Sequence, residues 1–377
     1  MKSVVNYLEQ HFDLIKEDIQ KLVLAESPST DKGAVDQCGD VLKQIFQERL
    51  GIQAETEIQE TYGNQLKFTL GEDGPQTTIL SHFDTVWDKG TLSLREEGDK
   101  LYGPGILDMK AGLIQAIWAV RALKVSGLLS GKRIVFLCNS DEELGSPSSR
   151  DWLSRHSMGS AQVLVVEPAT SNGELKVARK GTGRYHITIT GLAAHAGNNP
   201  GDGISAIEEM AFQILFLRDL NAPENGTTVN VGLVRGGGRL NVVADNAELG
   251  IDTRVTNEKE AQRIHDAISN LSPHIPGIQL KIEGGQTRPP MEQTPQSQLM
   301  LKRAQNVAAT LGFSVAGKAV GGGSDGNFTA ALGIPTLDGL GATGSGIHAL
   351  HEHILPADIV PRAALVAGML LDENDAK

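Results

Sequence analysis

The 377-residue sequence holds only two cysteines, Cys38 and Cys138. Two thiols build neither a disulfide framework nor a cysteine-based zinc site. Cys138 ends the apolar run IVFLC, where it reads as a small buried hydrophobe. Prolines number 15 against 43 glycines, which implies many tight turns and excludes a collagen-like repeat. Basic residues are outnumbered: 34 Lys and Arg face 46 Asp and Glu, for a net charge of −12. Phosphate contact needs a basic face, so such a chain is a poor nucleic-acid binder. Any anion it takes must be held by local cations. No run approaches the roughly 20 apolar residues of a membrane span. The opening MKSVVNYLEQHFDLIKEDIQ is charged throughout and lacks the apolar stretch of a secretion signal. These absences point to a cytoplasmic protein with no membrane and no nucleic-acid partner. There is no internal repeat and no Walker sequence, and a catalytic serine or cysteine is not suggested.

Hydrophobic residues make up 40% and charged residues 21%, an ordinary globular balance. Residues 3–25 and 35–50 have the spacing of amphipathic helices. Apolar runs at 77–80, 133–138 and 163–166 read as buried strands, with helices starting near Lys110 and around 147–157 between them. Strand, loop and helix repeated in this way predict an α/β fold with a mostly parallel central sheet. Near residue 178 the pattern changes. RYHITIT (184–190) alternates like a half-exposed strand, helices are expected at 203–219 and 257–270, and strand-like runs lie between and after them. The first pattern returns with helices at 296–311, 326–332 and from about 357. The expected domains are therefore 1–178 with 289–377, forming a catalytic α/β domain, and an inserted α+β lid or dimerisation domain at 179–288. Hinges are expected at Gly181-Thr182-Gly183 and Gly284-Gly285.

The chemistry-bearing residues follow the strands. His82 and Asp84 come after TTIL, Asp108 precedes a helix, Glu142 and Glu143 follow IVFLC, and Glu167 follows VLVV. Open α/β sheets gather ligands at the carboxyl ends of their strands, and His with carboxylates and no thiolate suits zinc, manganese or cobalt. Singly, each has a plainer reading: a turn, or acids favouring a helix N-terminus. Their coincidence on successive strand ends carries the argument.

SHFDTVW, GPGILDMKAG, SDEELGSPSSRDWL, VVEP and GLAAHAGNNPGDGISAI, in this order, resemble metallopeptidase family M20, in particular its glutamate carboxypeptidase (carboxypeptidase G2-like) branch. The resemblance runs along nearly the whole chain. It implies two Zn²⁺ per subunit, with Co²⁺ or Mn²⁺ as alternatives. His82 and Glu167 would hold one ion, Glu143 and His348 the other, and Asp108 would bridge them. Asp84 would orient His82, and the Asp108-Met109 bond would be cis. GSGIHALHEHI offers three histidines, and the family pattern, with the ligand four residues before a Glu, selects His348 with Glu352 over His351 and His353. Glu142 would be the general base, and His195 would steady the oxyanion, usually in a partner subunit. Asn241, Arg254 and Arg288 would hold the substrate carboxylate.

The physics of such a site is coherent. Three ligand carboxylates and a bridging hydroxide neutralise two divalent ions, and metal lowers the pKa of bound water to near 7. A base needs a free oxygen, so Glu142 should not be a ligand. The expected activity is that of a di-zinc exopeptidase, hydrolysing the amide before a C-terminal residue through a metal-bridging hydroxide, with glutamate favoured, on small peptides or N-acyl amino acids, in a homodimer. An N-acyl amino-acid deacylase or dipeptidase is the alternative. GGGSDG (321–326) also fits G-x-G-x-x-G, which would make the chain a Rossmann-type oxidoreductase, but only about 50 residues follow it, too few for a second nucleotide-binding half.

Overall fold

The computed structural model describes residues 1–371. It is an α/β fold, and the chain divides into two compact units, one of Met1–Ala178, Gln293–Val320 and Ser324–Lys377, the other of Arg179–Glu292 with Gly321–Gly323.

The first unit opens with helices α1 (Lys2–Gln10), α2 (Phe12–Leu24) and α3 (Lys32–Leu50). The single helix expected over 3–25 is broken at His11, whose backbone leaves helical geometry (φ −112°, ψ 15°) and whose Nδ1 turns back to the Tyr7 carbonyl at 2.7 Å. Next come β1 (Ala54–Glu57), β2 (Gln65–Leu70), β3 (Gln76–His82), α4 (Ala111–Val125), β4 (Arg133–Asn139), α5 (Arg150–Ser157) and β5 (Gln162–Val165). With the short strand Thr336–Leu337 they form a six-stranded sheet in the order β1-β2-β4-β3-β5-(336–337). The last four run parallel, and β1 and β2 add an antiparallel edge. That edge escapes sequence reading because AETE and QLKFTL lack a continuous apolar run.

Parallel register explains the rim. His82 lies opposite Asn139, and Leu80 opposite Val165, so Glu167 comes level with His82 two residues on. Helix α4 is buried along almost its whole length and packs on the helix Ile359–Leu370, which closes the unit. Its start presses on the end of β5: a Cβ at Gly112 would stand 2.1 Å from the Val166 carbonyl oxygen, and so would one at Gly341. Only glycine allows this approach, directly beside Glu167.

The second unit is a four-stranded antiparallel sheet with two helices. Strands β6 (Gly181–Thr190), β7 (Thr228–Gly236), β8 (Asn246–Val255) and β9 (Gln279–Arg288) take the order β7-β8-β6-β9, with helices α6 (Ala206–Asp219) and α7 (Glu258–Ser269). The glycines expected as hinges lie inside paired strands. Gly181–Gly183 lies within β6, paired to β8 and β9, and Gly284–Gly285 lies within β9. These glycines serve close approach. A Cβ at Gly183 would stand 2.5 Å from Thr253 Oγ1, and one at Gly284 2.1 Å from the Arg184 carbonyl oxygen.

Helix α6 reverses the usual pattern. Glu209 and Gln213 are buried, while Ile207, Phe212, Leu215 and Phe216 are exposed. Glu209 repays its burial by accepting from the backbone N–H of His274 and Ile275 and from Gln213 Nε2.

Gly112→Ala forces α4 off the sheet. Overpacking of this kind costs about 1–3 kcal/mol, so its urea unfolding midpoint falls, whereas Gly127→Ala, with open space around it, loses only what its positive φ dictates.

Candidate metal centre

The centre is assembled from five segments of the first unit. His82 ends β3; its Nδ1 lies 3.1 Å from the Asp84 carbonyl oxygen and 3.4 Å from Asp84 Oδ1. That contact sets Nδ1 as the proton-bearing nitrogen and turns Nε2 toward the carboxylates. Nε2 stands 3.3 Å from Asp108 Oδ1 and 3.5 Å from Glu167 Oε1. Asp108 Oδ2 faces the other way, 3.5 Å from His348 Nε2, which lies 3.1 Å from Glu143 Oε1. His82, Asp108 and Glu143 offer ligand atoms all within 4.8 Å of one another.

These separations match cation binding. Two ligands at 2.0–2.2 Å on one tetrahedral ion stand about 3.3 Å apart. Asp108 turns one oxygen to each histidine, so the donors form two groups: His82, Glu167 and Asp108 Oδ1; His348, Glu143 and Asp108 Oδ2. The residues therefore fit two borderline cations held by nitrogen and oxygen.

Electrostatics agree. Burial pushes the His82 imidazole down, but Asp108, Asp84 and Glu167 outweigh it and hold the pKa well above its ordinary value. Asp108 and Glu143 raise His348 to about 10. Burial raises Asp108, yet its bonds to His348 and His82 win and hold it well below the usual carboxylate range. Burial, then the charge of Asp108, pushes Glu143 up to about 7. Without cations, protons on the histidines balance the carboxylates. Lys176, also buried, adds a positive charge 3.9 Å from Glu167 Oε2.

Asp84 does more than orient His82. Its fully buried carboxylate accepts Ser29 Oγ at 2.7 Å and the backbone N–H groups of Glu142 and Glu143 at 3.2 Å each. It thus holds the 3₁₀ turn Glu142–Leu144 beside the donors. The turn is also braced by Asp141, which accepts from the Ser148 N–H and Oγ at 2.7 Å, and by Ser146 in left-handed conformation (φ 60°), bonded to Asp325. The GGGSDG segment thus supplies a buried carboxylate to the Glu142 turn. Among the C-terminal histidines, His348 (φ 57°) reaches Asp108 and Glu143, whereas His353 Nδ1 meets the His351 carbonyl at 2.8 Å. The Asp108-Met109 bond is cis.

Glu352 is 1% exposed. Its carboxylate accepts from the N–H groups of Gly105, Leu107 and Asp108 and from Trp87 Nε1. Sequence reading names Glu352 only as a spacing marker for His348, and it does not single out Lys176, Ser29 or Asp325. Asp325 stands in a Gly-rich stretch and Lys176 between Leu175 and Val177, whereas Ser29, within ESPSTDK, carries no such signal.

The other named residues lie in the second unit. Exposed His195 sits in a loop paired to 241–243: the Ala196 N–H donates to the Asn241 carbonyl, and His195 Nδ1 accepts from the N–H groups of Gly197 and Asn198 at 3.1 and 3.0 Å. Arg254 and Arg288 both register with Thr182, on opposite sides of β6, so they share one row of the sheet about 10 Å apart. Arg288 is buried, with its side chain under Gly323. Arg254 is held by Asp252 through bonds of 2.8 and 3.1 Å. Arg179, not foreseen, is buried and donates to the carbonyls of Gly322 and Gly323 at 3.2 and 3.0 Å.

Known proteins agree with this architecture. Carboxypeptidase G2 of Pseudomonas sp. (strain RS-16) is 28% identical over 311 residues, 80% of this chain and 74% of that protein. Aminopeptidase PepT of Bacillus cereus ATCC 10987 shares the fold with a TM-score of 0.77 at 24% identity, over 95% of this chain and 98% of that one. The Bacillus subtilis YXEP protein, a dinuclear metal-binding peptidase of the M20 family, gives a TM-score of 0.67 at 15% identity, over 96% and 98% of the two chains. A model of the peptidase family M20/M25/M40 matches residues 78–372, and the chain belongs to that family.

Proposed function

We propose that this hydrolase is a di-zinc exopeptidase that cleaves the amide before a C-terminal amino acid, with glutamate favoured. The observation that carries the reading is Asp108, whose two oxygens face two histidines, each with a further carboxylate beside it. His82, Glu167 and Asp108 would hold one ion, and His348, Glu143 and Asp108 the other. When bound, the ions supply Lewis acidity, polarising the scissile carbonyl and making water easier to deprotonate.

The chain's own residues do the rest. Glu142 sits next to a ligand but outside both donor groups, so its carboxylate takes the proton of the attacking water and passes it to the leaving amine. His195 accepts N–H bonds at Nδ1, which places its proton on Nε2 and makes that nitrogen the donor to a developing oxyanion. In a homodimer this donor serves the centre of the second copy. Asn241, Arg254 and Arg288 hold the substrate carboxylate. Arg254 is already engaged by Asp252, and this favours a second reading, an N-acyl amino-acid deacylase or dipeptidase that grips a single carboxylate. The second unit then acts as lid and dimerisation domain: exposed Ile207, Phe212, Leu215 and Phe216 on α6, with Val234 on the edge strand β7, offer apolar surface suited to a second copy. No helix of the described residues is long and apolar enough to cross a membrane, and both cysteines are free and buried, which fits a cytoplasmic setting.

A panel of N-acyl amino acids and dipeptides, varied at the C-terminal residue and assayed with and without chelator, tests the activity. Chelator-sensitive cleavage strongest for C-terminal glutamate is expected. A preference for another residue would retain the mechanism and discard the specificity, and no cleavage by metal-loaded protein would discard both. Glu142→Gln should keep both metals and lose at least about 100-fold in kcat, the contribution typical of a positioned base.

Metal binding must displace protons from His348 and His82, because ligands bind deprotonated. The raised histidine pKa values therefore make apparent zinc affinity rise with pH across 6 to 8, by about tenfold per unit for each proton released. Calorimetry in buffers of different ionisation enthalpy should register that release; a pH-independent affinity would contradict the ligand set.

Phe212→Glu combined with Phe216→Glu should convert a dimer to a monomer by light scattering, with the metal content of each chain unchanged.

A further inference from the structure

We propose that Glu352 is a positioning residue that sets the second cation pocket by clamping the Asp108 turn to the segment that carries His348. The proposal rests on the dinuclear reading above. It adds a residue that touches neither metal nor substrate and acts through two that touch metal.

The clamp has two jaws. One is the turn Gly105–Lys110. Asp108 (φ −115°, ψ 90°) and Met109 (φ −136°, ψ 29°) interrupt its helical geometry, so the N–H groups leading into it need acceptors from elsewhere. Glu352 supplies them. Oε1 accepts from Leu107 N at 2.8 Å and Asp108 N at 3.1 Å; Oε2 accepts from Gly105 N at 3.2 Å and Trp87 Nε1 at 2.6 Å. Four donors converging on two oxygens suit a carboxylate, which accepts and does not donate. The turn has no room to drift: Gly105 is left-handed (φ 65°), and a Cβ there would stand 2.2 Å from Thr85 Cγ2.

The other jaw is the tight stretch Gly346–Glu352. The Ala349 N–H donates to the Gly346 carbonyl at 2.8 Å and the Glu352 N–H to the Ala349 carbonyl at 2.9 Å. His348 is itself left-handed, and a Cβ at Gly346 would stand 2.9 Å from the Glu352 nitrogen. Glu352 and His348 therefore move as one body. Through the clamp, His348 Nε2 is kept 3.5 Å from Asp108 Oδ2, the separation two ligands of one ion require. His82 and Glu167 belong to other strands, so the His82 pocket depends on this link through Asp108 alone, whereas the His348 pocket depends on it through Asp108 and through the segment that carries His348. The consequence is asymmetric: loss of Glu352 weakens the His348 pocket far more than the His82 pocket.

The test uses full-length Glu352→Gln, which keeps the volume but turns an amide NH₂ toward backbone donors. Both zinc affinities are read by competition with a chromophoric chelator, with thermal unfolding of the metal-free protein alongside. Loss of a partner of this kind weakens metal affinity about 10–100-fold. The expected result is that weakening at one site, with the other within about threefold of wild type, and a fall in kcat at constant KM that added zinc reverses. Trp87→Phe removes one donor of four and should bind both ions as wild type does. If Glu352→Gln does not fold, Glu352→Asp, which keeps the charge and shortens the reach, should show the same one-site loss. Equal weakening of both sites, or two unaltered sites, overturns the clamp. Wild-type protein that binds a single zinc per chain overturns the dinuclear reading itself, which the Glu142→Gln kinetics do not address.

Discussion

The constraint on which this structure depends is the crowding of like charge. Asp84, Asp108, Glu142, Glu143 and Glu167 converge at the carboxyl ends of three parallel strands and the turn before α4. Two carboxylates 5 Å apart repel by about 3 kcal/mol at an effective dielectric constant of 20. Such a rim persists only with positive charge inside it. His82 and His348 serve by taking protons, and Lys176 by standing beside Glu167. Divalent cations serve better because they satisfy several oxygens at once. The same crowding explains why Glu143, next to Asp108, rises to about 7 while Asp108, flanked by both histidines, falls. Position between the histidines, and not burial, decides which acid stays ionised.

Crowded acids must also be aimed, and two of the buried carboxylates do that by gripping backbone. Asp84 takes the N–H groups of Glu142 and Glu143, and Glu352 takes those of Leu107 and Asp108. Asp84 thus bonds the main chain at Glu142 and Glu143, and Glu352 at Asp108, all residues of the proposed centre. Hydrogen bonds to an ionised acceptor are roughly twice as strong as neutral ones, and a bond to backbone leaves the side chain free for a ligand or a proton. The arrangement also separates adjacent glutamates. With both N–H groups directed at Asp84, the 3₁₀ turn sends Glu142 and Glu143 outward in different directions, and Glu143 reaches His348.

Much of this could be read from sequence because the central strands are uninterrupted apolar runs that end abruptly in His, Asp or Glu. TTIL, IVFLC and VLVV stand out for that reason, and parallel register then makes a common rim nearly obligatory. What sequence could not show was polar burial. Glu352 resembles any loop glutamate, Asp325 any acid in a glycine-rich turn, and Arg179 any surface arginine, until the structure buries Glu352 and Arg179 against backbone partners and Asp325 against the side chains of Asn139 and Ser146. The glycines misled in the opposite sense. Gly181-Thr182-Gly183 has the composition of a hinge, but those residues open an interior strand of a sheet, where the missing Cβ of Gly183 admits Thr253. Composition reports that a side chain is absent and not what fills its place.

The tautomer of His195 shows how far local geometry can carry a functional argument. An exposed imidazole in a Gly- and Asn-rich loop has no buried partner to orient it. Here the loop does the work itself: the N–H groups of Gly197 and Asn198 point at Nδ1, two and three residues on. Two donors at one nitrogen exclude a proton there, so in the neutral ring the proton sits on Nε2. In that tautomer Nε2–H is the ring's donor, which suits the role at a developing oxyanion proposed for it. The GLAAHAGN stretch carries this instruction only in its spacing, and pairing of the loop to 241–243 is what makes the spacing count.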